Sequence, residues 1–291
     1  MVFLRRYWYI GIVMLYVLLQ LPFLTADPDT AADTLTRGAW TDEGLYASQV
    51  CNLVNQGTFD LHESSTFIRG PLFGLMQIPF FYVLGTNLWV ARILTLLITA
   101  LALIVFLRKK ELRIFAMFLF VITVLEYHIF QFGHYAMAEV ICIDFVMLSL
   151  YFYIKTMQAE VLRMRLKSVF LSSLFLFFCY SCKIQFLYVA VILPLSVLFP
   201  AAFRCFKEKR ILRNELKIVL FSGLFTCFFL LVYYLIWYLP NKEFYQYVMN
   251  SESTGRYPLG IVNIREVALY NYHNLLCVKA FMPYILHFYI I

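Results

Sequence analysis

The sequence predicts an all-α polytopic membrane protein with about seven or eight transmembrane helices. Of its 291 residues, 63% are hydrophobic and only 14% are charged, whereas a soluble domain carries roughly 25% charged residues. The chain therefore has too little charge to cover a soluble surface, and its many large apolar residues exclude disorder. Its net charge of +7 is concentrated in clusters between apolar runs, the pattern by which membrane proteins set their orientation. The positive charge thus indicates topology, and nucleic acid is not an expected partner.

Each predicted span is an apolar run that approaches the roughly 20 residues needed to cross a bilayer. The runs are 7–25, 88–107, 114–132, 140–153, 169–183, 186–203, 218–238 and 275–291. We interpret the first as an uncleaved span because its apolar core is long and Leu24 fits a cleavage site poorly. The runs 140–153 and 169–183 are short for full spans, which favours tilted or broken helices there.

Four basic clusters alternate with these spans and hold 16 of the 24 Lys and Arg residues: 5–6, 108–113, 155–167 and 204–217. The alternation places all four clusters and the N-terminus in the cytoplasm. We expect a single transmembrane domain over 1–291, in which 26–87 is an outward catalytic loop with short interfacial helices and 241–274 a second outward loop. Because the sequence ends without a retention signal, we expect an integral, multi-pass protein of the inner (plasma) membrane of a bacterium.

An acidic pair marks the start of a helix in the first outward loop. The pattern predicts a helix that begins at Thr41 or Asp42 and stops at Gly57. Asp42 and Glu43 then lie in its first turn, where backbone N–H groups and the helix dipole favour ionised carboxylates. Such a carboxylate could act as a base, although most acidic residues in a first turn serve only as caps.

Further ionisable residues lie near the outer ends of later spans. Glu139 falls on the same predicted side as Asp42, with Arg69 and Lys183 as basic counterparts. Charges at membrane depth usually face a polar cavity or a partner. Two simpler explanations stay open: Glu139 could cap the next helix, and the basic side chains could snorkel to the interface.

Several short motifs follow one another along residues 1–240, and only their order and spacing are specific. They are Asp42-Glu43-Gly44-Leu45-Tyr46, Arg69-Gly70-Pro71-Leu72, Arg92, His134-Tyr135-Ala136-Met137-Ala138-Glu139, Lys183 and Trp237-Tyr238. In this order they resemble the GT-C superfamily of membrane glycosyltransferases, most closely the branch of the protein O-mannosyltransferases and bacterial aminoarabinose lipid A transferases. His134 replaces the usual Arg, and Arg69-Gly70-Pro71 replaces a common Lys-Pro-Pro. The chain is also shorter than typical members, so we expect a minimal or truncated form without their C-terminal part.

The resemblance implies an inverting hexosyl- or pentosyltransferase that moves a sugar from a polyprenyl-phosphate donor to an acceptor hydroxyl on the outer face. Asp42 would be the base, Glu43 would orient Asp42 or the loop, and Glu139 would bind the acceptor or position the sugar. Arg69 and Lys183 would hold the lipid phosphate, the Arg by a bidentate contact and the Lys as a point charge. The acceptor class stays open between a glycolipid, a polysaccharide and a protein; membrane lipids surround the chain.

Accessory roles and alternatives complete these expectations. Trp40 and Tyr46 could stack on a sugar, and His134 is a further accessory candidate. No cofactor is required and no metal site is predicted; the three carboxylates could hold a divalent cation, but no spacing demands one. The competing interpretations are a transporter or flippase-like protein, against which the lack of internal repeats argues, and a catalytically inactive remnant of a glycosyltransferase.

Overall fold

The computed structural model describes residues 2–25, 41–108, 133, 135–208 and 213–256. The predicted spans 114–132 and 275–291, together with Trp40 and His134, lie outside the described residues, and Asp42 is described by its backbone alone. Within the described ranges every regular element is helical. The helices are α1 (Val2–Gln20), α2 (Thr41–Gln56), α3 (Ser65–Arg69), α4 (Pro71–Leu84), α5 (Leu88–Arg108), α6 (Ala138–Gln158), α7 (Leu162–Cys182), α8 (Val189–Lys207), α9 (Arg213–Tyr233) and α10 (Lys242–Arg256).

Four of the helical segments in these ranges are long and apolar enough to cross a membrane. They are Leu88–Arg108, Ala138–Gln158, Ile184–Lys207 and Arg213–Tyr238, which correspond to the predicted spans 88–107, 140–153, 186–203 and 218–238. This supports a helical membrane protein. The second of them has 21 residues and is longer than predicted, because the polar residues at both ends of the apolar run continue the helix.

Other predicted spans correspond to less apolar or shorter segments. Tyr7–Phe23 and Pro71–Leu84 are short apolar helical stretches, the second of which was predicted to be interfacial. Helix α7 contains the predicted span 169–183 except its last residue, and it is not among the four membrane candidates. Its first turns carry Arg163, Arg165 and Lys167. The total of seven or eight spans therefore stays a prediction.

The chain divides into two compact units, Met1–Pro240 and Asn241–Ile291. All four candidate spans belong to the first unit. In the second unit, α10 lies within the segment predicted as the second outward loop, and it carries polar residues along with the buried Tyr245 and Val248.

The core of the first unit is formed where α6 and α7 pack along each other, with α5 and α9 against them. Small and polar residues allow this close packing: Ser149 and Ser172 hydroxyls are 2.8 Å apart, and Thr99 of α5 donates to buried Asp144 of α6 at 2.7 Å. Hydrogen bonds of this kind hold membrane helices together where hydrophobic burial cannot.

One end of this bundle is held by a buried charge cluster. Arg165 of α7 donates to both oxygens of Glu215 of α9 at 2.8 and 2.9 Å and to the Thr156 carbonyl of α6 at 3.1 Å. Arg204 of α8 donates to the same carboxylate at 2.9 Å. These residues come from the basic clusters predicted to be cytoplasmic. The opposite end, where α5 and α6 begin and α7 ends, carries the candidate site and is called the site end below.

Candidate functional site

The segment between α2 and α5 folds back on α2 through side-chain bonds to its backbone. Helix α2 ends at Gln56, and Gly57 follows with a φ of 67°, a left-handed conformation that favours glycine after a helix. The predicted stop at Gly57 is confirmed. The Gln49 side-chain amide then donates to the Asp60 and Leu61 carbonyls at 2.8 and 3.1 Å. This brings the returning chain against α2.

Short helix α3 is fixed at its start by two hydroxyl groups. The Ser64 hydroxyl accepts from the Thr66 backbone N–H at 3.2 Å, an N-terminal cap. The Thr66 hydroxyl donates to the Leu45 carbonyl of α2 at 2.7 Å. Helix α3 is thereby fastened to the face of α2 that includes Leu45 and Tyr46, and it carries Arg69 as its last residue.

The carboxylate of Glu43 is fully buried in an ion pair with Arg92. Arg92 of α5 donates to its two oxygens at 2.9 and 2.6 Å, and neither side chain is exposed. The Ala136 N–H, just before α6, donates to the same carboxylate at 2.7 Å. Arg92 also donates to the Phe23 carbonyl at 2.7 Å and lies 5.1 Å from the centre of the Tyr135 ring. The pair of Glu43 and Arg92 thus joins the start of α2 to α5, to the residue before α6 and to the carbonyl of Phe23.

A small pocket, partly open to solvent, lies at the site end of the bundle. It is lined by Tyr46, Thr66, Arg69, Cys182, Lys183 and Gln185. Two cationic groups from distant parts of the chain therefore share one cavity, together with the phenol of Tyr46. A guanidinium and an ammonium are the side-chain groups that proteins use to bind phosphates and carboxylates.

Glu139 forms an ion pair with the Lys183 ammonium at this pocket. The Tyr46 hydroxyl donates to its other oxygen at 3.4 Å, and the ammonium lies 5.9 Å from the centre of the Tyr46 ring. Side-chain exposure is 21% for Lys183 and 34% for Glu139, so both groups are reachable from solvent. Arg69, by contrast, contacts its own helix, where its Nε donates to the Ser65 carbonyl at 3.1 Å.

The backbone at Gly70 passes very close to the end of α7. A Cβ added at Gly70 would lie 1.9 Å from the Cys182 carbonyl oxygen and 2.8 Å from the Lys183 backbone nitrogen. Only a residue without a side chain allows this approach. The close approach places Arg69 and Lys183 in the lining of one pocket.

The last turn before Pro240 also reaches this region. A π-helical turn, Tyr234–Tyr238, follows α9, and the indole Nε1 of Trp237 donates to the Ile68 carbonyl of α3 at 2.9 Å. The Trp237 ring lies 5.8 Å from the Phe67 ring, centre to centre. Turns of this type are often found at functional sites.

The structure brings together Arg69, Lys183, Glu139 and Tyr46 and places Glu43 apart from them in its own buried pair. Asp42 lies in the first turn of α2, while Trp40 and His134 lie outside the described residues. Sequence reasoning missed Thr66, Cys182 and Gln185 in the lining and the bond from Trp237. A hydroxyl at the start of a short helix, as at Ser64 and Thr66, was a usable local signal for the first of these. The other contacts join residues far apart in sequence and leave no local signal.

Among the described residues, no group of three His, Cys, Asp or Glu side chains is arranged to hold a metal ion. The expectations about a cation stay predictions, since the trio weighed from the sequence includes Asp42. Comparisons of the chain with protein-family models, curated proteins and solved structures found no match. The site must therefore be interpreted from its own chemistry.

Proposed function

We propose that this protein is an inverting membrane glycosyltransferase of the GT-C type, which uses a polyprenyl-phosphate sugar as donor. The observation that carries the proposal is the shared pocket of Arg69 and Lys183. These two residues were expected to hold the donor phosphate from their place in the motif order alone. The two cations come from segments that lie far apart in sequence, and the fold brings them to one cavity.

In the proposed reaction, the acceptor oxygen attacks the anomeric carbon of the sugar from the face opposite the phosphate. A C–O bond forms to the acceptor, the C–O bond to the phosphate breaks, and the polyprenyl phosphate leaves with the electron pair. The charge that develops on the leaving phosphate is stabilised by Arg69 and Lys183, since preorganised cations act most strongly where charge appears.

The acceptor proton passes to Asp42, which is the proposed base. Asp42 precedes Tyr46 by four residues in α2, a spacing that places two residues on one face of a helix, and Tyr46 lines the pocket. Arg92 donates to both oxygens of Glu43 and the Ala136 N–H donates to one of them, so we assign Glu43 a positioning role. Glu139, partly exposed beside Lys183, is left to contact the acceptor or the sugar.

The test is transfer of radiolabelled sugar by purified protein in lipid vesicles, with a panel of polyprenyl-phosphate sugars as donors. We expect Asp42→Asn to lower kcat by about 10²-fold or more, the typical contribution of a general base, with little change in donor KM. The matched control is Asp60→Asn, an exposed carboxylate in the same segment, which should transfer like wild type.

The other outcomes are equally informative. Transfer that survives Asp42→Asn would contradict the assignment of the base while leaving the enzyme class. No transfer from any donor by well-folded wild type would contradict the proposed function and favour the transporter or the inactive remnant.

A further inference from the structure

Two of three consecutive residues at the end of α3, Ile68 and Gly70, contact other helical segments through their backbones, and Arg69 lies between them. The carbonyl of Ile68 accepts the Trp237 indole N–H at 2.9 Å, and the backbone of Gly70 presses on the Cys182 carbonyl on the other side. Arg69 lies between these two contacts and lines the pocket. The residue that reaches the pocket is therefore flanked by two fixed neighbours.

The contact from Trp237 has a clear physical reason. The last carbonyls of a helix have no partner within the helix, and α3 has only five residues, so its carbonyls need partners from elsewhere. Ile68 is fully buried, which keeps water from its carbonyl. An indole N–H is a donor that must itself find an acceptor when it is covered by protein.

The π turn is what directs the indole to this carbonyl. Such a turn winds an additional residue into a helix, which changes the direction of the side chains within the turn and after it. Trp237 is the fourth residue of the turn Tyr234–Tyr238. Its ring also packs on Phe67, at 5.8 Å between centres, so α3 is held by both a hydrogen bond and an aromatic contact.

We propose that Trp237 is a positioning residue for Arg69, and that the bond to Ile68 sets the affinity of the pocket for a prenyl phosphate, the leaving group of the proposed reaction. This inference rests on the proposed function, in which Arg69 holds the donor phosphate. Because Arg69 has a long side chain whose pocket position depends on the α3 backbone, a small rotation of α3 moves the guanidinium away from Lys183. The end of the span Arg213–Tyr238 is thereby coupled to phosphate binding.

The test uses farnesyl phosphate as the probe, with farnesol as the same chain without phosphate, and calorimetry on purified protein in detergent. Trp237→Phe removes the N–H but keeps an aromatic ring against Phe67. We expect it to weaken farnesyl phosphate binding by about three- to tenfold, the range of one hydrogen bond, with no change for farnesol. Trp89→Phe, at a half-buried tryptophan elsewhere in the core, is the control and should bind like wild type.

A double-mutant cycle separates positioning from general packing. In an Arg69→Gln background, Trp237→Phe should cause no further loss of phosphate affinity, because the group that it positions is gone. An equal loss in both backgrounds, or wild-type affinity in Trp237→Phe itself, would overturn the inference. Wild type that binds farnesyl phosphate no better than farnesol would overturn the proposed phosphate site and this inference with it.

Amide hydrogen exchange tests whether the Trp237 bond holds α3, independently of whether the pocket binds phosphate. Trp237→Phe should raise exchange at residues 65–70 whether or not any ligand binds. Faster exchange there without an effect on phosphate affinity would show a purely structural bond, and unchanged exchange would show that the bond does not hold α3.

Discussion

At the scale of single residues, Lys183 has the most informative position. It lies in extended backbone directly after α7, with a φ of −158°, so its side chain leaves the helix direction and enters the pocket. There its ammonium is paired with Glu139. Since Arg69 contributes the second positive charge, the three groups leave one net positive charge at the cavity, which suits an anionic ligand.

We expect Lys183→Met to raise the donor KM by about ten- to hundredfold, the range for one hydrogen bond to a charged group. The substitution removes the ammonium and leaves the Glu139 carboxylate to repel the phosphate. Lys183→Arg should keep most of the affinity. The measurement is donor titration in the transfer assay, with Lys167→Met, an exposed lysine at the other end of the bundle, as the matched control. An unchanged KM in Lys183→Met would contradict the phosphate role.

A second prediction at this scale concerns Gly70. Gly70→Ala should lower the unfolding temperature and abolish transfer, because a Cβ would lie 1.9 Å from the Cys182 carbonyl oxygen and the two backbones must separate. Overpacking of this kind costs about 1–3 kcal/mol. Gly44→Ala is the matched control: a Cβ there meets nothing within 4 Å, and alanine favours the helix, so its thermal unfolding should occur no lower than in wild type. Equal unfolding temperatures for both variants would show that the approach at Gly70 is not tight.

Sequence reasoning at this scale worked where a residue type has a local signature. The stop at Gly57 and the charged candidates Arg69, Lys183 and Glu139 could be named because turn chemistry and charges in apolar runs stand out. It could not show that Gly70 makes the pocket possible, since a glycine before a proline is also an ordinary helix boundary. Only the neighbouring backbone reveals why a side chain does not fit.

At the scale of elements, the pair of Glu43 and Arg92 organises the site end. It connects α2 to α5. It also accepts the Ala136 N–H, just before α6, and donates to the Phe23 carbonyl, in the turn after α1. The sequence indicated that Glu43 belongs to a first helical turn. It could not identify the partner, because Arg92 lies 49 residues away and pairing at such distances depends on tertiary packing.

Glu43→Gln should destabilise the protein by about 3–5 kcal/mol, the usual result of removing one partner of a buried pair. The reason is that the guanidinium of Arg92 would stay buried without its counter-charge. Chemical or thermal unfolding in detergent measures this, and Glu63→Gln, an exposed carboxylate bonded only to Asn52 among the described contacts, should change little.

The double variant Glu43→Gln/Arg92→Gln gives the sharper comparison. Since two neutral side chains leave no unpaired charge, its loss should be smaller than the sum of the two single losses. Strict additivity would mean that the two groups stabilise the protein independently, contrary to the geometry.

At the scale of the whole molecule, charge and span order agree on two distinct ends. The cluster of Arg165, Arg204 and Glu215 holds one end of α6 to α9, and the pocket lies at the other. Spans were predictable because a long apolar run needs no partner to be recognised. The bounds of α6 were harder to predict, because the helix continues through the polar residues at both ends of its apolar run.

The predicted orientation can be measured with reporter fusions. A green fluorescent protein joined after Glu208 should be fluorescent and an alkaline phosphatase there inactive, because the adjoining basic cluster favours the cytoplasm. Joined after Pro240, the two reporters should give the opposite result, since Arg213–Tyr238 is long enough to cross the membrane. The same signals at both positions would contradict the topology.

The buried pair at the start of α5 also has a consequence for synthesis and membrane insertion. Glu43 leaves the ribosome before Arg92, so its carboxylate is already made when the span Leu88–Arg108 is inserted. An arginine alone within a span is costly in hydrocarbon, and here it meets a carboxylate translated earlier. Deletion of α2 would therefore remove the counter-charge of this span during biogenesis. The amount of protein inserted into the membrane would fall, independently of any effect on catalysis.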